Sequence, residues 1–236
     1  MANMATPFPD DYRALVIGSS GAIGQAFVQS FRQDIRCGHV EVISRAHTNG
    51  FDLLDHASIS AHAAMSAGSG PYHIIVDATG ALTIDGLGPE KTLAALQPDH
   101  LARAFHINAI GPALVLRHFG PLLAPGPCIY AKLSARVGSI TDNHKGGWYG
   151  YRASKAALNM LLQTAAIELQ RKNPAVRMVA LQPGTVRSGL SHPFASGVAK
   201  LLEPAESVGG MIAALRGLEV RKGASFIDHQ GKEIPW

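Results

Sequence analysis

A glycine-rich turn between an apolar run and a helix-like segment constrains this chain more than any other stretch. Residues 12–18 (YRALVIG) read as a buried strand, Gly18-Ser19-Ser20-Gly21-Ala22-Ile23-Gly24 as the turn, and residues 22–33 as the helix that leaves it. Glycines at such a junction let the chain reverse sharply and let amides at a helix start approach a pyrophosphate. The spacing is not G-x-G-x-x-G; it is nearer to G-x-x-x-[GA]-x-G, with Ala22 in the middle place and Gly21 before it. The strand before and the helix after make dinucleotide binding the expected use of Gly18, Ser20, Gly21, Ile23 and Gly24.

The same alternation continues along the chain. Strands are expected over 39–44 (HVEVIS), 73–78 (HIIVDA), 128–133 (CIYAKL), 176–182 (VRMVALQ) and 224–227, and helices near 56–65, 98–119, 151–171 and 204–216. Short apolar strands separated by helices imply a parallel sheet covered on both faces. The 236 residues suit one such domain over 12–236 behind a short tail over 1–11, and 47% hydrophobic against 16% charged residues argues for a globular chain. The net charge of +4 comes from scattered basic residues, which gives a nucleic-acid role no footing. Cys37 and Cys128 are expected as reduced core thiols, and the eleven histidines lack the paired spacing of a metal site. No apolar run approaches the roughly 20 residues of a membrane span, and no signal peptide is evident, so a cytoplasmic protein is expected.

Two short stretches bear on chemistry. At the end of the second strand, Ser44-Arg45 offers no carboxylate for the ribose hydroxyls of NAD(H), and an arginine there suits a 2′-phosphate. NADP(H) is therefore expected over NAD(H). In Tyr151-Arg152-Ala153-Ser154-Lys155, the four-residue spacing sets Tyr151 and Lys155 on one helix face, one turn apart. A free tyrosine has a pKa of about 10. A fixed ammonium beside it favours the phenolate and brings proton transfer within working range.

The glycine turn, Asn108, a serine near 134–139, Tyr151 and Lys155, in that order, resemble the short-chain dehydrogenase/reductases over essentially the whole chain. SARVGSITDN (134–143), GGWYGYRASKAALN (146–159) and FIDHQGKEIPW (226–236) are similar to the C-factor and sniffer-type branch. The resemblance implies a single Rossmann-type doubly wound α/β domain with a seven-stranded parallel sheet. It implies an oxidoreductase that moves a hydride between NADP(H) and a small carbonyl or alcohol substrate. Tyr151 would be the general acid/base, and Lys155 would tune it and hold the nicotinamide ribose. Asn108 would keep a mid-helix irregularity and a water. Asp52-Leu53 would lie against the adenine, and Pro183-Gly184-Thr185-Val186 with Ser188 would hold the nicotinamide carboxamide. A homodimer or homotetramer is implied, with the 151–171 helix at the interface. Because that branch includes a protein named for intercellular signalling, a dinucleotide-binding regulatory protein with little turnover is the alternative.

Two departures from the family pattern stand out. Asp77-Ala78-Thr79-Gly80 replaces Asn-Asn-Ala-Gly, keeping the glycine that lets the chain pass close to the cofactor, with Ala78 beside it. The usual place of the catalytic serine, three before Gly138, holds Ala135. Its neighbour Ser134 is the first candidate for the hydroxyl, Ser139 the second, and no serine at all the third. The stretch from Ser134 to Tyr151 is also long, consistent with an insertion around 142–147. His144, Trp148 and Tyr149 before Tyr151, and His192 and Phe194 after the Pro-Gly segment, are expected to border a substrate pocket. Arg152 and Ser154 are expected to serve the helix and a subunit interface.

Overall fold

A computed structural model describes residues 8–46, 48, 50–189 and 201–236. Its strands are β1 (Tyr12–Ile17), β2 (Cys37–Ile43), β3 (Ile74–Asp77), β4 (Cys128–Leu133), β5 (Val176–Gln182) and β6 (Ser225–Asp228). Its α-helices are α1 (Ala22–Gln33), α2 (His56–Ser66), α3 (Pro98–Phe105), α4 (Gly111–Phe119), α5 (Tyr149–Lys172) and α6 (Pro204–Arg216).

Alternation along the strands produces two apolar layers. Leu15, Ile17, Ile75, Tyr130 and Met178 point to one side, where α2, α4 and α5 supply Ile59, Val115, Phe119 and Leu162. Ala14, Val16, Val76, Ile129 and Val179 point to the other, where α1 and α6 supply Phe27, Phe31, Met211 and Leu215. Phe8, within the stretch expected to be a tail, is buried in this second layer with its ring edge-on to Tyr12 at 5.1 Å.

Every pairing is parallel, in the order β2-β1-β3-β4-β5-β6. The chain leaves β1 first toward β2 and then returns to its other side as β3. A crevice therefore opens beyond the carboxyl ends of β1 and β3. The described residues hold six strands, which corrects the expected seven. Between β2 and α2 the segment RAHTNGFD carries turn formers and no apolar run fit to pair. Thr48 N–H donates to the Ser44 carbonyl (2.8 Å), and Asp52 Oδ1 accepts from Leu54 N–H (2.9 Å), so the segment closes into turns. β2 remains the sheet edge, half-covered over most of its length.

The helix expected over 98–119 is interrupted. A wide π-turn at His106–Ile110 separates α3 from α4. Asn108 Nδ2 donates to the Ala81 carbonyl and its Oδ1 accepts from Ala81 N–H, both at 2.9 Å. That grip holds the turn open, and Pro112, which has no N–H, cannot bond back to the carbonyl of residue 108.

The start of α5 is held from a distance. Trp148, its N-cap, has φ 55° and no capping side chain, and the first turn carries no acid. Buried Glu90 supplies both functions: its carbonyl accepts from Trp148 N–H (2.5 Å) and its Oε2 from Gly150 N–H (2.9 Å). A carboxylate at a helix N-terminus satisfies an orphan donor and opposes the helix dipole. Glu90→Ala is expected to destabilise the fold by about 1–2 kcal/mol, measured as a lower urea midpoint at unchanged slope.

Candidate active site

The crevice at the switch point has the form of a dinucleotide cradle. Gly18, at φ +82°, takes its place by donating to the Ile43 carbonyl at 2.7 Å. A Cβ on Gly18 would lie 2.9 Å from the Ala78 carbonyl carbon, and one on Gly24 would lie 2.3 Å from the Gly18 carbonyl oxygen. These two contacts explain the glycines: one lets β1 pass β3, the other lets α1 sit down on the turn. Gly21 is the N-cap of α1 and brings no side chain to it, so the amides of the first turn face outward as an anion site.

The cleft has a volume of about 370 Å³. Of the residues expected at a cofactor, Gly18, Ser20, Gly21, Ser44, Arg45, Asp52, Leu53, Ala78 and Gly80 line it. Arg45 is exposed at its rim, the position from which a guanidinium can meet a phosphate. Ile23 packs into the second apolar layer instead, and Gly24 lies beneath the turn. Pro183, Gly184, Val186 and Ser188 lie past the carboxyl end of β5, outside this lining. There the Pro183 carbonyl accepts from Ser207 Oγ (2.6 Å), and Val186 is bridged to Leu202. The cradle, the bare helix start and Arg45 fit a phosphorylated dinucleotide.

Lys155 and Asn108 meet at Gly80, which lines the crevice, and Tyr151 stands beside Lys155. Lys155 is buried and its Nζ lies 5.7 Å from the centre of the Tyr151 ring, donating to the Leu133 carbonyl at 3.3 Å. Gly80, at φ +141°, adopts a backbone that strains any side chain, and a Cβ there would crowd Asn108 Oδ1 at 3.1 Å and Lys155 Nζ at 3.3 Å. Burial pushes the Tyr151 phenol well above the usual tyrosine value. Burial first, and then the charge of Lys132, lower Lys155 to about 7, with Asp77 acting the other way. The phenol is thus kept in its protonated form beside a lysine whose pKa is lowered toward neutrality.

Ser139 lies apart from the phenol's face, whereas Ser134 meets the Tyr151–Lys155 stripe of α5 at Asn159, two turns on from Tyr151. Ser134 is buried and donates to Asn159 Oδ1 at 2.7 Å. Ala135, in extended backbone, sends its side chain the opposite way and is half-exposed. Ser139 Oγ accepts from Asp142 N–H (3.0 Å) and lines a hollow with Tyr149, Ala153 and Ala156. By helical spacing those residues occupy the face of α5 opposite Tyr151 and Lys155.

Of the other candidates, Trp148 stands edge-on to Tyr151 at 6.2 Å, and Tyr149 lines the far hollow. His144 is exposed in the preceding loop. Arg152 holds that loop through the Gly146 and Gly147 carbonyls, and Ser154 bonds back to the Tyr151 carbonyl. His192 and Phe194 lie outside the described residues. Sequence reasoning missed Glu90, Asn159 and Lys132. The lysine carried a signal, a charge inside the apolar run CIYAKL; the other two carried none. Among the described residues no cluster could hold a metal, Cys37 and Cys128 are free, and no helix is long and apolar enough to cross a membrane.

Comparison with known proteins agrees with this geometry. A family model described as enoyl-(acyl carrier protein) reductase, of the short-chain dehydrogenase type, matches residues 45–222. The chain is 34% identical over 169 residues to C-signal of Myxococcus xanthus, which covers 71% of this chain and 95% of that protein. Its fold is similar to NADPH-bound carbonyl reductase from chicken fatty liver (TM-score 0.84, 22% identity, 97% and 95% of the two chains covered). It is likewise similar to the carbonyl reductase Sniffer of D. melanogaster (TM-score 0.79, 17% identity, 96% and 100% covered). The family-model match and the breadth of the match to C-signal place the chain in the short-chain dehydrogenase/reductase family.

Proposed function

We propose that this chain is an NADP(H)-dependent oxidoreductase that reduces a carbonyl group, with Tyr151 as the proton donor. The observation that carries the reading is the half-buried Tyr151 phenol, kept protonated by its surroundings, beside Lys155, whose Nζ faces Gly80 of a glycine-lined crevice. When bound, the reduced nicotinamide supplies the hydride to the carbonyl carbon. Tyr151 gives its proton to the carbonyl oxygen as charge develops there. Lys155 stands where it can stabilise the phenolate left behind and return a proton to it. Asn108 keeps the π-turn that leaves room for Lys155. Gly18, Ser20 and Gly21 would hold the pyrophosphate, Arg45 a 2′-phosphate, and Asp52 and Leu53 the adenosine. NADP(H) is supported by Arg45 at the rim and by the NADPH-bound carbonyl reductase of the same fold.

Ser134, the first choice for the substrate-orienting hydroxyl, has its proton engaged with Asn159. The geometry favours a site without that second hydroxyl, with Ala135 in the serine's place. The regulatory alternative keeps support from the 34% identity to C-signal and from this missing donor. Assembly into homo-oligomers is supported by Met160 and Ile167, 67% and 38% exposed on the face of α5 turned away from Tyr151.

Four outcomes test the reading. Tyr151→Phe should lower NADPH-driven reduction of a panel of aldehydes and ketones by roughly 10²–10⁴-fold, and Ala135→Ser should raise it roughly tenfold by adding a donor at the oxygen. Tight NADPH binding with no turnover on any carbonyl would favour the regulatory alternative. Arg45→Ala should lower the affinity for NADPH relative to NADH by roughly 10–100-fold, measured by cofactor fluorescence. Because the free enzyme's Lys155 is charged below its depressed value of about 7 and neutral above it, kcat/KM for NADPH should fall as pH rises through about 7.

A further inference from the structure

A second arginine lines the crevice. Arg103, on α3, borders the same cleft as Arg45 and Leu53, and its Nε donates to Asp85 Oδ2 at 3.3 Å. Asp85 also lines the cleft and is carried on a tight reversal. Ile84 and Leu87 exchange both backbone hydrogen bonds at 2.9 Å, and Asp85 and Gly86 between them have φ 51° and 79°. Asp-Gly is a pair that such a two-residue turn favours, so the carboxylate is presented from a fixed point. Arg103 also continues an apolar wall. Ile107, one helical turn on, lines the cleft, and a Cβ on Gly111, a turn beyond that, would meet Leu53 Cγ at 2.7 Å. Leu53, Ile107 and the guanidinium thus follow one another along one side of the crevice. That side belongs to the sheet face covered by α4, whereas α1, whose bare start suits the pyrophosphate, packs on the other face.

We propose that Arg103 is an adenine-binding residue, laying its guanidinium plane on the purine of the dinucleotide, and that Asp85 is the positioning residue that sets this plane. This rests on the cofactor assigned above. Leu53 and Ile107 offer an apolar surface to a flat ring, and a guanidinium at the end of that surface extends it. The group is planar and weakly hydrated and stacks on aromatic faces, which an ammonium does not match. Its bond to Asp85 is made by an N–H lying in the guanidinium's own plane, so the pairing does not use the faces. The two side chains are 42% and 66% exposed, and an ion pair so open contributes little to the fold. A carboxylate at the mouth of the crevice also repels a phosphorylated ligand, and orienting Arg103 is what offsets that cost. Phosphate pairing falls to Arg45 at the end of β2, away from the wall that Arg103 completes.

The test is calorimetric binding of two fragments, ADP and adenosine 2′,5′-bisphosphate, to the full chain. Both carry adenine, and only the second carries the 2′-phosphate. Arg103→Lys keeps the charge and loses the plane, and should weaken both fragments by the same factor, roughly 5–10-fold. Asp85→Asn puts in a residue equally at home at positive φ, so the turn is kept while the guanidinium is released. It should weaken both fragments by a smaller factor in the wild-type background and by none in Arg103→Lys. In the wild type, the Arg103 Nε–H signal in NMR, assigned with Arg103→Lys, should move upfield under the ring current of the purine when either fragment is added. Unchanged affinity in Arg103→Lys, a loss confined to the 2′-phosphorylated fragment, or an Nε–H signal that does not move upfield overturns the stacking. Unchanged or raised affinity in Asp85→Asn overturns the role of Asp85. A wild-type chain that binds neither fragment sinks the cofactor assignment itself, whereas binding to which Arg103 is indifferent leaves that assignment standing and removes only the stacked arginine.

Discussion

The contact on which the site depends is that between the backbone of the first turn and its neighbours. With any side chain at Gly24, the Gly18 carbonyl would be struck at 2.3 Å, and α1 would have to lift from β1. With any at Gly18, the ends of β1 and β3 would be forced apart. Both shifts move the same object, the amide-lined end of α1, relative to Gly80 and the lysine behind it. Shape at this point is set by exclusion, by what two hydrogen atoms leave room for, and the hydrogen bond from Gly18 to Ile43 then fixes the turn in the space provided.

Further in, charge replaces shape as the organising influence. The interior at the ends of β3 and β4 holds two lysines and one aspartate on the sheet face that carries Ile75 and Tyr130. Burial there acts on every ionisable group in the direction of neutrality, raising phenols and lowering amines. Tyr130 and Tyr151 are both raised, Lys132 and Lys155 both lowered. For the proposed chemistry, the same dryness that keeps Tyr151 protonated also brings its lysine toward neutrality. One property of the environment prepares both partners.

Much of this was legible in the sequence where the signal was local. The strands over 128–133 and 176–182 and the helices over 22–33 and 204–216 coincide with the observed elements, because a strand buried on both faces is written as an unbroken apolar run. The turn at Gly18 and the pairing of Tyr151 with Lys155 are likewise short-range patterns. The features not legible depend on partners far along the chain. The break at His106–Ile110 arises from Asn108 gripping Ala81, 27 residues earlier, and helical periodicity carries no trace of it. Whether Ser134 or Ala135 faces the crevice turns on a single step of pleat, which Asn159 decides. That the described residues hold six strands agrees with a sequence rich in turn formers after β2, where likeness to the family suggested a seventh.

The remote cap on α5 has a consequence for how the protein comes into being. Glu90 lies 60 residues before Gly150, in the connection between β3 and α3. The tyrosine-bearing end of α5 is therefore secured by chain synthesised well before it, across a loop whose closure must come first. Secondary structure at that end is an outcome of assembly and not its seed. Tyr151 is in register only once the two halves of the polypeptide have met, so a partly folded chain presents the phenol without its setting.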